Sequence, residues 1–263
     1  MARRTLPGKR IIVTGASSGI GRALALLLVE RGARVVVCAR REPQLEQLLE
    51  EVKDFAGELH IVTGDITDID LRQKLLDTAQ EKMGGLDILI NNAGIGALGF
   101  FEDATPERLR QVMEVDFFAP VELIRGALPL LYQGNSPIIV NIGSVLGHRA
   151  VPGKSEYCAG KFAMHGFNDA LRAELAGEGI DVLLVSPSTT KSEFFDSVIE
   201  KKGRQPSESE KGMTPLQVAQ KTVRAIELGK QEIILSISGK ALVWVDRLCP
   251  PLANWMVAKY GKK

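Results

Sequence analysis

Apolar residues gather into seven short runs along the chain, at 10–14, 34–38, 59–63, 86–90, 138–142, 181–185 and 232–235, each strand-length and rich in Ile, Val or Leu. Between them lie longer segments whose apolar positions return every three or four residues, among them 22–30, 42–55, 68–83, 156–176 and a stretch from Thr214-Pro215 to about 228. This alternation predicts strands joined by helical crossovers, hence one α/β domain over 1–263, a doubly wound parallel sheet with helices on both faces. In such a sheet a ligand lies beyond the carboxyl ends of the strands. The tail, 240–263, has Leu242, Val245, Leu248, Leu252, Trp255 and Met256 at roughly helical spacing, broken by Pro250-Pro251, with Lys259, Lys262 and Lys263 at its end. Two short amphipathic helices fit it, expected to pack first on their own subunit, next on a partner subunit, and last on a membrane surface.

Composition narrows the class. At 263 residues with 45% apolar and 25% charged side chains the chain reads as a soluble globular protein, and a net charge of +1 gives no electrostatic case for nucleic acid. No apolar run reaches the length of a membrane span, and the opening Met-Ala-Arg-Arg-Thr-Leu-Pro-Gly-Lys-Arg lacks a signal-peptide core. Cys38, Cys158 and Cys249 are odd in number and scattered, which suits a reducing, cytoplasmic location, and His60, His148 and His165 show no metal-binding spacing.

The polar signals cluster where the apolar runs end. Gly15-Ala16-Ser17-Ser18-Gly19-Ile20-Gly21 stands between the first strand and its helix, a place where glycines let the backbone approach a pyrophosphate and free N–H groups attract its charge. The second strand ends in Ala39-Arg40-Arg41 rather than an acid, so a guanidinium stands where NAD would need a carboxylate for its ribose, which favours the 2′-phosphate of NADP. The third strand closes on Gly64-Asp65-Ile66-Thr67, where Asp65 either contacts adenine or caps a turn. The fourth ends in Asn91-Asn92-Ala93-Gly94, able to tie strands together beside a cofactor ribose.

The fifth run delivers Ser144, and the following helix presents Tyr157 and Lys161, four apart and so on one face. A neighbouring ammonium favours the phenolate, so Lys161 is expected to lower the pKa of Tyr157, while the serine hydroxyl holds a carbonyl or alcohol oxygen. That is acid/base machinery for carbonyl and alcohol interconversion.

Taken together, Thr14 through Gly21, Asn91-Asn92-Ala93-Gly94, Ser144 and Tyr157-Cys158-Ala159-Gly160-Lys161 resemble the short-chain dehydrogenase/reductase family from Lys9 to about Leu235. The resemblance implies a Rossmann-type domain, Tyr157 as acid/base, Lys161 as the residue that tunes it and binds the nicotinamide ribose, and Ser144 as orienter of the substrate oxygen. It also places Ile20, Asn92, Ala93 and Gly94 along the cofactor and Asp65 with Ile66 at the adenine, and it implies a homodimer or homotetramer. Two departures follow. Where many members have an asparagine that completes a tetrad, this chain has Asp116, which cannot donate as an amide does but can pair with Lys161. Where members have Pro-Gly and a threonine, it reads Pro187-Ser188-Thr189-Thr190-Lys191-Ser192, leaving Thr189, Thr190 or Ser192 to meet the cofactor. The segment 193–212, beginning with apolar Phe194-Phe195, is expected either to close over the substrate pocket or to be a surface insertion. With 96–101 and 145–152 it makes apolar-leaning walls, which predict a hydrophobic carbonyl substrate such as an acyl thioester, sterol or lipid-like ketone. The expected function is NADP(H)-dependent oxidoreduction without a metal, and the competing expectation is a non-catalytic NADP(H)-binding sensor or scaffold.

Overall fold

Strand β1 (Arg10–Thr14) shows why the sheet sits in the middle of the molecule: four of its five residues are buried, leaving no solvent face. The computed structural model describes residues 4–191 and 212–260. Its strands β1, β2 (Arg34–Ala39), β3 (Glu58–Thr63), β4 (Ile88–Asn91), β5 (Ile138–Ile142), β6 (Asp181–Ser186) and β7 (Glu232–Ile234) form one seven-stranded sheet in the order β3-β2-β1-β4-β5-β6-β7. Every pairing is parallel. The order reverses between β1 and β4, which is where a doubly wound sheet opens a crevice.

Alternation along each strand divides the core in two. Ile11, Val13, Val35 and Val37 face one layer, built from α1 (Gly19–Glu30), α2 (Glu42–Glu51) and α7 (Pro215–Leu228). Ile12, Val36 and Ile139 face the other, built from α3 (Ile69–Thr78), α5 (Ala119–Leu131) and α6 (Ser155–Leu175). Each such side chain, fully buried, contributes about 1.5–3 kcal/mol.

The segment expected as one helix from 68 to 83 is helical but not uniform: Asp68 caps α3 by accepting from the Asp70 amide, and the last turn, Ala79–Met83, widens to π geometry before Gly84. A second such turn, Glu114–Phe118, joins α4 (Pro106–Met113) to α5. Beyond β7 the tail forms α8 (Ile237–Leu248) and α9 (Pro250–Tyr260), divided at the expected prolines. No described helix is long and apolar enough to cross a membrane.

Candidate active site

The loop after β1 is pressed against the end of β4. Gly15 has φ +71°, and a Cβ on it would lie 2.8 Å from Ala93 Cα; one on Gly21 would lie 2.3 Å from the Gly15 carbonyl oxygen. Thr14 and Asn92 lock this contact: Thr14 Oγ1 accepts from the Asn92 and Ala93 amides at 3.0 Å, and Asn92 Nδ2 donates to the carbonyls of Thr14 at 2.9 Å and Gly15 at 3.2 Å. Asn92 thus ties the strands as its position suggested. Helix α1 starts at Gly19, and Ser18 makes no side-chain capping bond there. A helix start uncapped by that side chain, beside a backbone without room for Cβ atoms, fits an anionic pyrophosphate.

At the end of β2 the two arginines diverge. Arg41 donates from Nε and Nη2 to Ser17 Oγ at 3.2 Å, draping over the glycine loop. Arg40 is exposed, with Nη1 3.8 Å from Asp65 Oδ2. Asp65 accepts from the amide and hydroxyl of Thr67, an Asx turn at the end of β3, and Ile66 behind it is buried. Arg40, Asp65, Ile95, Arg110 and Glu114 share a cleft of about 380 Å³. Arg110 of α4 is an addition that no sequence signal marked.

Ser144, Tyr157, Lys161 and Asp116 come together at the end of β5. Ser144 is extended and caps the turn Val145–Gly147, its Oγ accepting from the Leu146 amide at 3.1 Å while it also hydrogen-bonds Tyr157. Lys161 Nζ lies 5.6 Å from the Tyr157 ring centroid and 3.2 Å from Asp116 Oδ2. Asp116 sits in the π turn, wholly buried, and its Oδ1 accepts from the Ile95 amide at 2.8 Å.

The electrostatics reverse one expectation. Burial pushes the Tyr157 phenol above its ordinary pKa; Lys161 pulls it down as expected, but Asp116 pushes it back up, and the net shift is upward. Burial works against the charge of Lys161, yet Asp116 and Tyr157 outweigh it and its pKa is raised. Burial likewise lifts Asp116 above its ordinary value despite Lys161 and the Ile95 amide. The raised pKa of Lys161 favours its ammonium form, which Asp116 faces at 3.2 Å.

Beneath these groups runs a chain of buried amides that the sequence reading missed. Asn91 Nδ2 donates to Asn141 Oδ1 at 2.9 Å, and Asn141 Nδ2 to Asn168 Oδ1 at 3.0 Å, linking β4, β5 and α6. Asn141 inside the apolar run 138–142 was the available signal. Spacing likewise gave no hint that His148 and His165 meet, with ring centroids 4.3 Å apart and a Glu232 oxygen near them. His148 Nε2 contacts Ser186 Oγ at 2.8 Å and His165 Nδ1 the Gly147 carbonyl at 3.0 Å, and burial, then His165, push the His148 pKa down to about 4. Cys158 is buried and its thiol is pushed up by burial, as suits a packing residue.

Pro187 continues β6, and its carbonyl accepts from the Val145 amide at 2.9 Å. Thr189 uses its carbonyl to pair with Met213, and Thr190 Oγ1 donates to the Ser188 carbonyl at 3.2 Å. Ser192 and nearly all of the segment 193–212 lie outside the described residues.

Comparison with known sequences bears on the same residues. The family described as short chain dehydrogenase matches 9–203. The chain belongs to the short-chain dehydrogenase/reductase family. It is therefore a nicotinamide-dependent oxidoreductase acting on CH–OH groups. A dehydrogenase/reductase SDR family protein 7-like of Drosophila melanogaster is 32% identical over 270 residues, covering 99% of this chain and 83% of that protein. The dehydrogenase/reductase SDR family member 7B of Xenopus tropicalis is 31% identical, covering 96% and 85%. A short-chain dehydrogenase/reductase of Burkholderia phymatum, solved with NAD, superposes with a TM-score of 0.86 over 95% of this chain and 96% of that one at 24% identity, which speaks to the fold.

Proposed function

We propose that this short-chain dehydrogenase/reductase uses NADP(H) to interconvert a hydrophobic carbonyl compound and its secondary alcohol. The convergence of Ser144, Tyr157, Lys161 and Asp116 at the end of β5 carries the reading. The glycine loop with Gly15, Ser17, Ser18, Gly19, Ile20 and Gly21 holds the pyrophosphate, and Asp65 and Ile66 border the adenine. Asn92, Ala93, Gly94 and Lys161 line the nicotinamide half, with Pro187, Thr189 and Thr190 on its other side. When bound, the nicotinamide supplies the two-electron redox chemistry.

The protein's own part is to place and protonate one oxygen. Ser144 orients it by hydrogen bonding, and Tyr157 gives its phenolic proton to it during reduction or takes one during oxidation. Its raised pKa keeps Tyr157 protonated at neutral pH, which suits the reductive direction. Asp116 is a positioning residue: it holds Lys161 charged and in place, and it offsets the field by which Lys161 would ionise the phenol. The coenzyme preference rests on Arg40 at the end of β2, exposed and free of a carboxylate on its own strand end. The substrate class rests on the apolar-leaning segments 96–101 and 145–152, in which Ala97 and Val145 are buried.

Dissociation constants for NADPH and NADH, measured beside those of Arg40→Asp, test the first half. NADPH should bind about ten- to a hundredfold tighter, and the variant should lose that preference. Equal affinities in the unaltered protein would refute it. For the second half, good turnover of a sugar alongside poor turnover of every apolar ketone would overturn the substrate class.

A further inference from the structure

The α8–α9 hairpin inverts the usual burial pattern. Ile237, Ala241, Trp244 and Leu248 recur at helical spacing on one face of α8, and all four are exposed, Ile237 at 87%, Trp244 at 57% and Leu248 at 77%. On α9, Leu252, Trp255 and Met256 are exposed as well. The hairpin's inward contacts are few: Gly239, Val243, Ala253 and Val257 are its buried residues. It is nonetheless firmly tied to the loop that follows Ser144. Arg149 donates to Asp246 Oδ1 at 2.8 Å and Asn254 Oδ1 at 2.7 Å, and a Cβ on Gly239 would lie 2.7 Å from Val145 Cγ2.

Charge says what covers these stripes. Asp246 is the hairpin's one acidic residue, and it is paired inward with Arg149. The charged residues left at the surface are Lys240, Arg247 and Lys259, all basic and all exposed, Lys259 lying over the Trp255 ring at 3.7 Å. A second copy docked here about a two-fold axis would set these cations against one another. Apolar stripes with half-exposed tryptophans, edged by lysine and arginine alone, match an anionic lipid surface, where indoles sit at headgroup depth. We propose that the α8–α9 hairpin docks on a bilayer containing anionic phospholipid, with Ile237, Trp244, Leu248 and Trp255 entering it and Lys240, Arg247 and Lys259 meeting its headgroups. This seats the loop after Ser144 beside the membrane.

The chain's two tryptophans, Trp244 and Trp255, both lie on this hairpin, so intrinsic emission of the full-length protein reports docking without a label. The protein is titrated with phosphatidylcholine vesicles, with and without phosphatidylserine. The expected result is a blue shift, with binding that needs phosphatidylserine and weakens about tenfold or more in the Lys240→Glu/Arg247→Glu variant. High salt should weaken binding of the unaltered protein too, a readout that stands if the variant does not fold. Unchanged emission, equal binding to both vesicles, or salt-insensitive binding would overturn the proposal. So would emission already blue-shifted in lipid-free protein that reddens on dilution, the sign of a second copy covering the stripes. None of these readouts depends on turnover, so they leave the catalytic reading untouched.

Discussion

Helix α6 contributes one partner to each of two buried ion pairs, Arg108 with Glu156 and Lys161 with Asp116. In the first, Arg108 donates from Nη2 at 2.6 Å and Nε at 3.1 Å to one oxygen of Glu156, and Ser155 donates to the other at 3.0 Å. Both carboxylate oxygens are hydrogen-bonded, and burial is outweighed: the Glu156 pKa is held below its ordinary value. In the second, Lys161 Nζ stands 3.2 Å from Asp116 Oδ2 in a geometry that makes no hydrogen bond, and its contact with the Ile142 carbonyl is 3.4 Å. Here burial wins at the acid, whose pKa is raised. A buried charge pair with every oxygen bonded clamps one element to another, here α6 to α4. A pair left partly unsatisfied beside the largely buried Tyr157 suits, on the function proposed above, a tuning role, because its charges act on the phenol.

The comparison can be broken at its reacting end first. Tyr157→Phe should lower carbonyl reduction by about a hundred- to ten-thousandfold while nicotinamide nucleotide binding stays within a few fold, seen by steady-state kinetics beside a binding titration. Unimpaired turnover would remove Tyr157 from the chemistry. The clamp should fail differently. Arg108→Met leaves Glu156 buried without its partner and should cost about 3–5 kcal/mol of stability in denaturant unfolding, most of it recovered when Glu156→Leu is added. Asp116→Asn should cost less stability than Arg108→Met and act instead on the pH dependence of the reaction.

How far these features could be read from the chain follows from how local each one is. The strand runs and the glycine loop are local: a buried parallel strand must be apolar throughout, and the conformation of Gly15 and the crowding at Gly21 leave no room for side chains. The Tyr157 and Lys161 spacing is local as well. Arg108 and Glu156 are far apart in the chain, and nothing in either neighbourhood announces the other; the same holds for Asn91, Asn141 and Asn168. The direction of the Tyr157 shift was misread because it depends on burial and on Asp116, which only the fold brings to Lys161. The tail packs on its own subunit, as expected first, through Arg149 and Val145. Helical spacing showed that α8 and α9 have apolar faces, but only the structure shows which face points outward.

The most direct test of the account is the pH profile of carbonyl reduction for the unaltered enzyme and Asp116→Asn. Reduction needs Tyr157 protonated, so its rate holds at low pH and falls as pH rises through the phenol's pKa. Replacing Asp116 removes a charge that raises that pKa and leaves Lys161 to favour the phenolate. The falling limb should therefore move to lower pH, and alcohol oxidation at neutral pH should rise by about tenfold. An unmoved limb, or one displaced to higher pH, would show that Asp116 does not govern the proton on Tyr157.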